Sequence, residues 1–180
     1  MLYFYANCSM KYLLLVFFLC TASLCRAQEP KSVPTKSFTI GGLVETQSVI
    51  TMDTLNRLPL QSVGDVAVTN HLGEFRHKDV NVKGVLLKDV LAHTVLRSAS
   101  PKLLSRLYFT CIGSDGYKVV YSWNELYNTT VGDHVYIIME KNGVRSATLP
   151  ENIQMCSSTD LKTGRRYLQN LAQIVVNETN

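Results

Sequence analysis

The chain has 180 residues, of which 46% are hydrophobic and 18% charged, with 18 lysines and arginines against 14 acidic residues. The formal charge is +4; a leader carrying Lys11 and Arg26 would take the basic residues to sixteen and leave +2. That is too little for the basic footprint of a nucleic-acid binder, and the length suits one domain that buries about two-thirds of its unfolded surface.

Residues 1–10 carry no charge, and Met10-Lys11 reads as a start. The run "YLLLVFFLCTASL" follows and ends in Cys25-Arg26-Ala27. A basic flank, a short apolar run and small residues at the cleavage positions describe a secretory signal peptide over residues 1–27. The run is shorter than the roughly 20 apolar residues a membrane span needs. The mature protein is therefore expected to be exported, periplasmic or extracellular, and to meet a membrane only through its signal segment. Residues 28–36 are polar, contain Pro30 and Pro34, and read as a flexible lead into one domain over residues 37–180.

Phe38, Ile40 and Val44 across a Gly-Gly predict a first strand with a bulge or tight turn. In "TMDTLNRLP", Leu55 and Leu58 lie one turn apart, Pro59 stops the helix and Thr51 or Asp53 caps it. Residues 63–68 read as a strand, and the polar stretch 70–79 as a loop or irregular connection. "GVLLKDVLAHTVL" reads as helix, with Leu87, Val90, Leu91 and Val95 on one face. Ser100-Pro101 opens a further turn, and residues 107–112 form a short strand. Ser114-Asp115-Gly116 is a tight turn, and "KVVYS" after it a strand. Ser122 and Glu125 have the spacing of a capping box. Residues 134–140 are apolar without alternation, as in a strand covered on both faces. Asn142-Gly143 marks a hairpin, and residues 153–157 and 171–176 read as further strands. There are no internal repeats. This mixed order of short strands and short helices is that of an α+β domain.

Export would leave Cys111 and Cys156, which either form one disulfide or stay as buried thiols. No Gly-x-Ser-x-Gly elbow, P-loop or His-Glu-x-x-His is present. Asn128-Thr129-Thr130 and Asn177-Glu178-Thr179 fit the glycosylation sequon.

Three stretches in order, "VKGVLLKDVL", "SDGYKVVYSWNEL", and "MEKNGVRSATLP" with "TGRRYLQNLAQIVV", resemble the molybdopterin-binding domain of the sulfite oxidase family. The resemblance runs from about Phe38 to Val176. It implies that family's fold, mixed sheets with short helices, and molybdopterin or another pterin as cofactor. Tyr117 matches the tyrosine that faces the family's metal site, with Asp115 holding its hairpin; read from the residues alone, Tyr117 can instead pack on the sheet with its hydroxyl on a backbone partner. Arg166, with Arg165 beside it, matches the arginine that meets the pterin and its phosphate; read from the residues alone, the two arginines either clamp a phosphate or solvate the polar loop and pair with Asp160. Gln169 stands where the family often has a lysine. The family's metal-ligating cysteine should fall within residues 66–78, where "VAVTNHLGEFRHK" has none, and neighbouring oxygen or nitrogen donors do not replace a soft thiolate. A metal is therefore not expected. As metal ligands His71 and His77 are less expected than as solvated loop histidines, and Arg76 with His71 and His77 makes a small basic cluster that reads either as a solvated loop or as the rim of an altered pocket.

Three readings stand. The first is an exported pterin-binding-like domain for an anionic small molecule, non-catalytic or with altered cofactor use. The second is a molybdenum-dependent oxidoreductase. The third is a ligand-free accessory or protein-interaction domain, with Phe75 and His77 filling the pocket.

Overall fold

The computed structural model describes residues 31–179 except residue 99. The expected signal peptide lies outside the described residues. Residues 31–36 have no regular structure, yet they are tied down. The Val33 N–H donates to Ser114 Oγ at 2.8 Å, the Ser114 hydroxyl donates back to Val33 O at 2.6 Å, and Asn170 Nδ2 donates to Ser32 Oγ at 2.7 Å.

The first sheet takes the two ends of the domain and its middle. β1 (Ser37–Gly42) pairs in antiparallel with β2 (Ser48–Thr51) and in parallel with the last strand, β10 (Leu171–Glu178). β10 pairs with β5 (Leu107–Gly113), which forms a hairpin with β6 (Lys118–Ser122), so the order is β2-β1-β10-β5-β6. The second sheet runs β3 (Gln61–Thr69), β4 (Phe75–Leu86), β7 (Val135–Lys141) and β8 (Val144–Arg145), with β9 (Gln154–Ser157) also on β7. Among the described residues three short α-helices punctuate the strands: α1 (Met52–Leu55), α2 (Leu87–Leu91) and α3 (Trp123–Tyr127).

β7 explains the unalternating apolar run. Val135, Ile137 and Met139 join the larger core, which takes side chains from both sheets. Tyr136 and Ile138 point to a second cluster with Val66, Val68, Val82 and Leu86. Both faces are covered over residues 135–139, and each of those five positions is apolar. The strand ends in the Asn142-Gly143 turn, whose φ values of +54° and +74° are those of the hairpin turns that match strand twist. The capping box is formed: Ser122 Oγ accepts from the Glu125 N–H at 3.1 Å, and Glu125 Oε2 accepts from the Ser122 N–H at 2.8 Å. Thr51 caps α1, and Asp53 does not.

Two sequence expectations need correction. The stretch 70–79 is a loop only to residue 74; β4 begins at Phe75 and runs for 12 residues. The helix expected over "GVLLKDVLAHTVL" is strand through Leu86 and helix only from Leu87 to Leu91. Leu87, Val90 and Leu91 are buried as expected, but Val95 is 68% exposed and beyond the helix. Of the two states left open for Cys111 and Cys156, the structure has the free thiols. Cys111 sits in the larger core on β5, and Cys156 in the second cluster on β9, so each packs as a small apolar side chain. Burial pushes each thiol up to about 12.

Candidate functional site

The site is built where the chain's late loop closes on the edge of the second sheet. After β9 the polar segment turns through a 3₁₀ helix, Thr163–Arg166. Thr163 acts as a false strand partner for β3: its hydroxyl donates to Ala67 O at 2.6 Å and accepts from the Thr69 N–H at 3.1 Å. The next residue must be glycine, because a Cβ at position 164 would lie 1.8 Å from Thr69 O. This close approach is the physical content of the Gly-x-Arg pattern.

The Asp-Gly-Tyr hairpin meets the same loop. Asp115 Oδ1 accepts from the Tyr117 N–H at 2.9 Å and shapes the turn. The Tyr117 hydroxyl then donates to Arg165 O at 2.8 Å, fastening the hairpin to the loop across 48 residues of sequence. Between them lies a shallow hollow of about 280 Å3. Val68 and Thr69 of β3, Asp115 and Tyr117 of the hairpin, and Gly164, Tyr167 and Gln169 of the loop line it.

The two segments converge, but the Arg166 guanidinium does not reach the lining. Its Nε and Nη2 grip the Asp160 carboxylate at 2.7 and 2.6 Å, and its Nη1 donates to Glu125 Oε1 at 3.1 Å. Its carbon centre lies 4.6 Å from the Tyr121 ring centroid, a cation–π stack. The bidentate hydrogen bonds and charge of Asp160 hold this arginine well above its ordinary value. Burial works to raise the Asp160 carboxyl, but its bonds to Arg166 and Ser157 outweigh that and leave it below the usual carboxylate range. Arg166 therefore locks the loop to α3 and β6, a structural task.

The remaining expected residues divide. Arg165 is exposed and donates its Nε to His71 O at 3.0 Å, so the loop and the β3–β4 tip are joined there. His71 and Arg76 are exposed and do not line the hollow. Phe75 is 66% exposed, and the exposed His77 lies 3.7 Å from Asp79; neither fills the hollow.

One group at the site had no signature in the sequence. Tyr167, in the lining, carries its hydroxyl down to a buried polar cluster. That hydroxyl donates to Asp79 Oδ2 at 2.6 Å and accepts from Lys141 Nζ at 2.9 Å. Lys141 Nζ also reaches Asp79 Oδ2 at 3.4 Å, and Asn142 Nδ2 donates to Asp79 Oδ1 at 3.2 Å. Asp79 is 1% exposed. Burial, then the hydrogen bond to Asp79, keep the Tyr167 phenol protonated far above its ordinary value. Asp79 and Lys141 lie 62 residues apart in the sequence, and only the β4 and β7 pairing brings them together.

No family model and no curated protein matches the sequence. Among solved structures, the chain is similar to the sulfane dehydrogenase SoxCD from Paracoccus pantotrophus, with a TM-score of 0.59 and 14% identity. The match covers 80% of this chain and 38% of that one, so this chain spans well under half of the neighbour's length. The likeness is one of fold. It bears out the sulfite-oxidase-type α+β class expected from the motifs.

The donor set can be tested against the cofactor that the resemblance implies. The lining has no sulfur and no cation, and its one carboxylate, Asp115, repels a phosphate. Among the described residues, no group of three or more His, Cys, Asp or Glu side chains is placed to hold a metal ion. These residues do not fit a thiolate-ligated molybdenum centre. They do offer polar edges (Thr69, Asp115, Tyr117, Gln169) to a small heterocycle.

Proposed function

We propose that this protein is an exported, non-catalytic binding module that keeps a sulfite-oxidase-type scaffold without its redox centre. One observation carries the reading. Arg166, the residue that the family resemblance sets against a cofactor phosphate, is committed on three sides to Asp160, Glu125 and Tyr121. The segment with the sequence marks of a secretory leader supports export.

The hollow at Tyr117 is the binding surface of this module. A second reading, that it takes a pterin-type ring, is favoured by Asp115: a carboxylate in the lining suits the amino edge of such a ring. Protein purified from its native compartment separates the readings. The module reading expects no molybdenum by elemental analysis, and about one equivalent would overturn it. Release of a fluorescent pterin on denaturation, without metal, would establish the ring-binding form; a blank extract counts against it.

A further inference from the structure

We propose a second ligand site, for a small carboxylate with an unbranched apolar tail, in a hollow of about 280 Å3 between α1 and the β4, β7 and β8 strands. It shares no lining residue with the hollow at Tyr117, so it stands independently of the function proposed above.

The hollow exists because α1 is a single turn. The chain leaves it through bonds from the Arg57 N–H to Thr54 O at 3.2 Å and from the Leu58 N–H to Leu55 O at 3.1 Å, and Pro59 then forbids further helix. This turn hangs over the sheet without filling the space beneath it. The floor is apolar: Leu55, Val85 and Met139 are 0%, 1% and 8% exposed. Above it stands Leu60, 56% exposed although it borders a cavity, so an apolar tail entering there would cover it. Met52 and Met139 line opposite elements, and unbranched thioethers re-pack around a flexible chain.

The rim sets the head group. Its polar members are Asn56, Glu140 and Arg145. Glu140 faces Arg145 across the β7–β8 ladder, but its carboxylate bonds Lys83 Nζ at 2.9 Å. Arg145 is left with no carboxylate within 4 Å among the described residues. The Lys83–Glu140 pair is neutral as a unit, so the mouth carries one net positive charge on a guanidinium. That group binds a carboxylate through two parallel hydrogen bonds. A cation is repelled there, and an alcohol gains no charge pairing.

Isothermal titration of the purified protein with hexanoate, octanoate, decanoate, octanol and octylamine, all below their micelle-forming concentrations, tests the proposal. Affinity for the acids should rise about fourfold per added methylene until the hollow is full. Octanoate should bind more tightly than octanol, and octylamine least. Arg145→Gln should weaken octanoate about fivefold and leave octanol unchanged. Ala147→Trp, at an exposed position of the mouth, should remove binding of every ligand; if that variant does not fold, Leu60→Glu should remove binding of the acids. Octanol equal to octanoate, or an indifferent Arg145→Gln, overturns the carboxylate assignment. Unchanged binding in both blocking variants, or no heat at millimolar acid, overturns the site.

Discussion

Replacing Arg166 by methionine separates a structural arginine from a cofactor clamp. The substitution keeps a long side chain over Tyr121 but removes the charge that neutralises Asp160 and Glu125. Removing one partner of a fully buried pair costs about 3–5 kcal/mol. Here 21% of the Arg166 side chain and 16% of Asp160 stay in contact with solvent. Screening there lowers the expected cost to about 2–3 kcal/mol. In a domain of this size that is a fall in melting temperature of roughly 4–12 °C. Thermal and urea melts followed by circular dichroism would measure it. Adding Asp160→Asn should recover about half of the loss, because the stranded carboxylate is gone. The pH dependence supplies a second check. The folded-state pKa of Asp160 is lowered, so its contribution is complete above the unfolded carboxylate value of about 4 and disappears as pH falls through the lowered value. The variant should lose that part of the acid limb. A fall in melting temperature below about 2 °C, with no recovery in the double variant, would refute the structural role.

Other outcomes follow from the same geometry. Lys141→Met strands the Asp79 carboxylate, 1% exposed, and should cost about 3 kcal/mol or more in urea melts, with most of it regained in Lys141→Met/Asp79→Asn. Tyr117→Phe removes one hydroxyl contact at a 43% exposed position, so the loss in urea melts should be about 1 kcal/mol or less. Intact mass should not change on reduction, and Ellman's reagent should react with neither Cys111 nor Cys156 until the protein unfolds. Both thiol pKa values are raised on folding, to about 12, so their contribution is complete below the unfolded thiol value of about 8.5 and is lost as pH rises from there toward 12. An alkaline melting series should show stability falling across that window.

Local chemistry made part of this molecule readable in the sequence. Ser122 and Glu125 lie three residues apart and bond each other's backbone, so their spacing alone announces the cap. Asn142-Gly143 needs only its own backbone angles. The unalternating run on β7 reports two buried faces, and both are there. Where the reading failed, distance was the cause. Phe75 to Lys78 belong to β4, but all four are exposed there, so no alternation marks them as strand. Gly84 to Leu86 are apolar like the helix that follows, and the sheet captures them first. At the site, the meeting of the Tyr117 hairpin with the Arg166 loop was implied by the family resemblance, and pairing of Arg166 with Asp160 was one of the readings left open, but the full direction of the side chain was not legible. It depends on Glu125, 41 residues away, and on a ring from β6. The Asp79, Lys141 and Tyr167 cluster draws on three elements and carries no spacing rule.

The parallel contact of β1 with β10 has a consequence for how the molecule comes into being. Because β10 separates β1 from β5, a chain emerging residue by residue holds two unconnected hairpins, β1–β2 and β5–β6, until its last eight-residue strand arrives. A chain ending before Leu171 would offer two sticky sheet edges to chaperones, proteases or its own copies. Delivery of that final segment zips both halves in one step, so the two-sheet domain closes only when its C-terminal strand is in place.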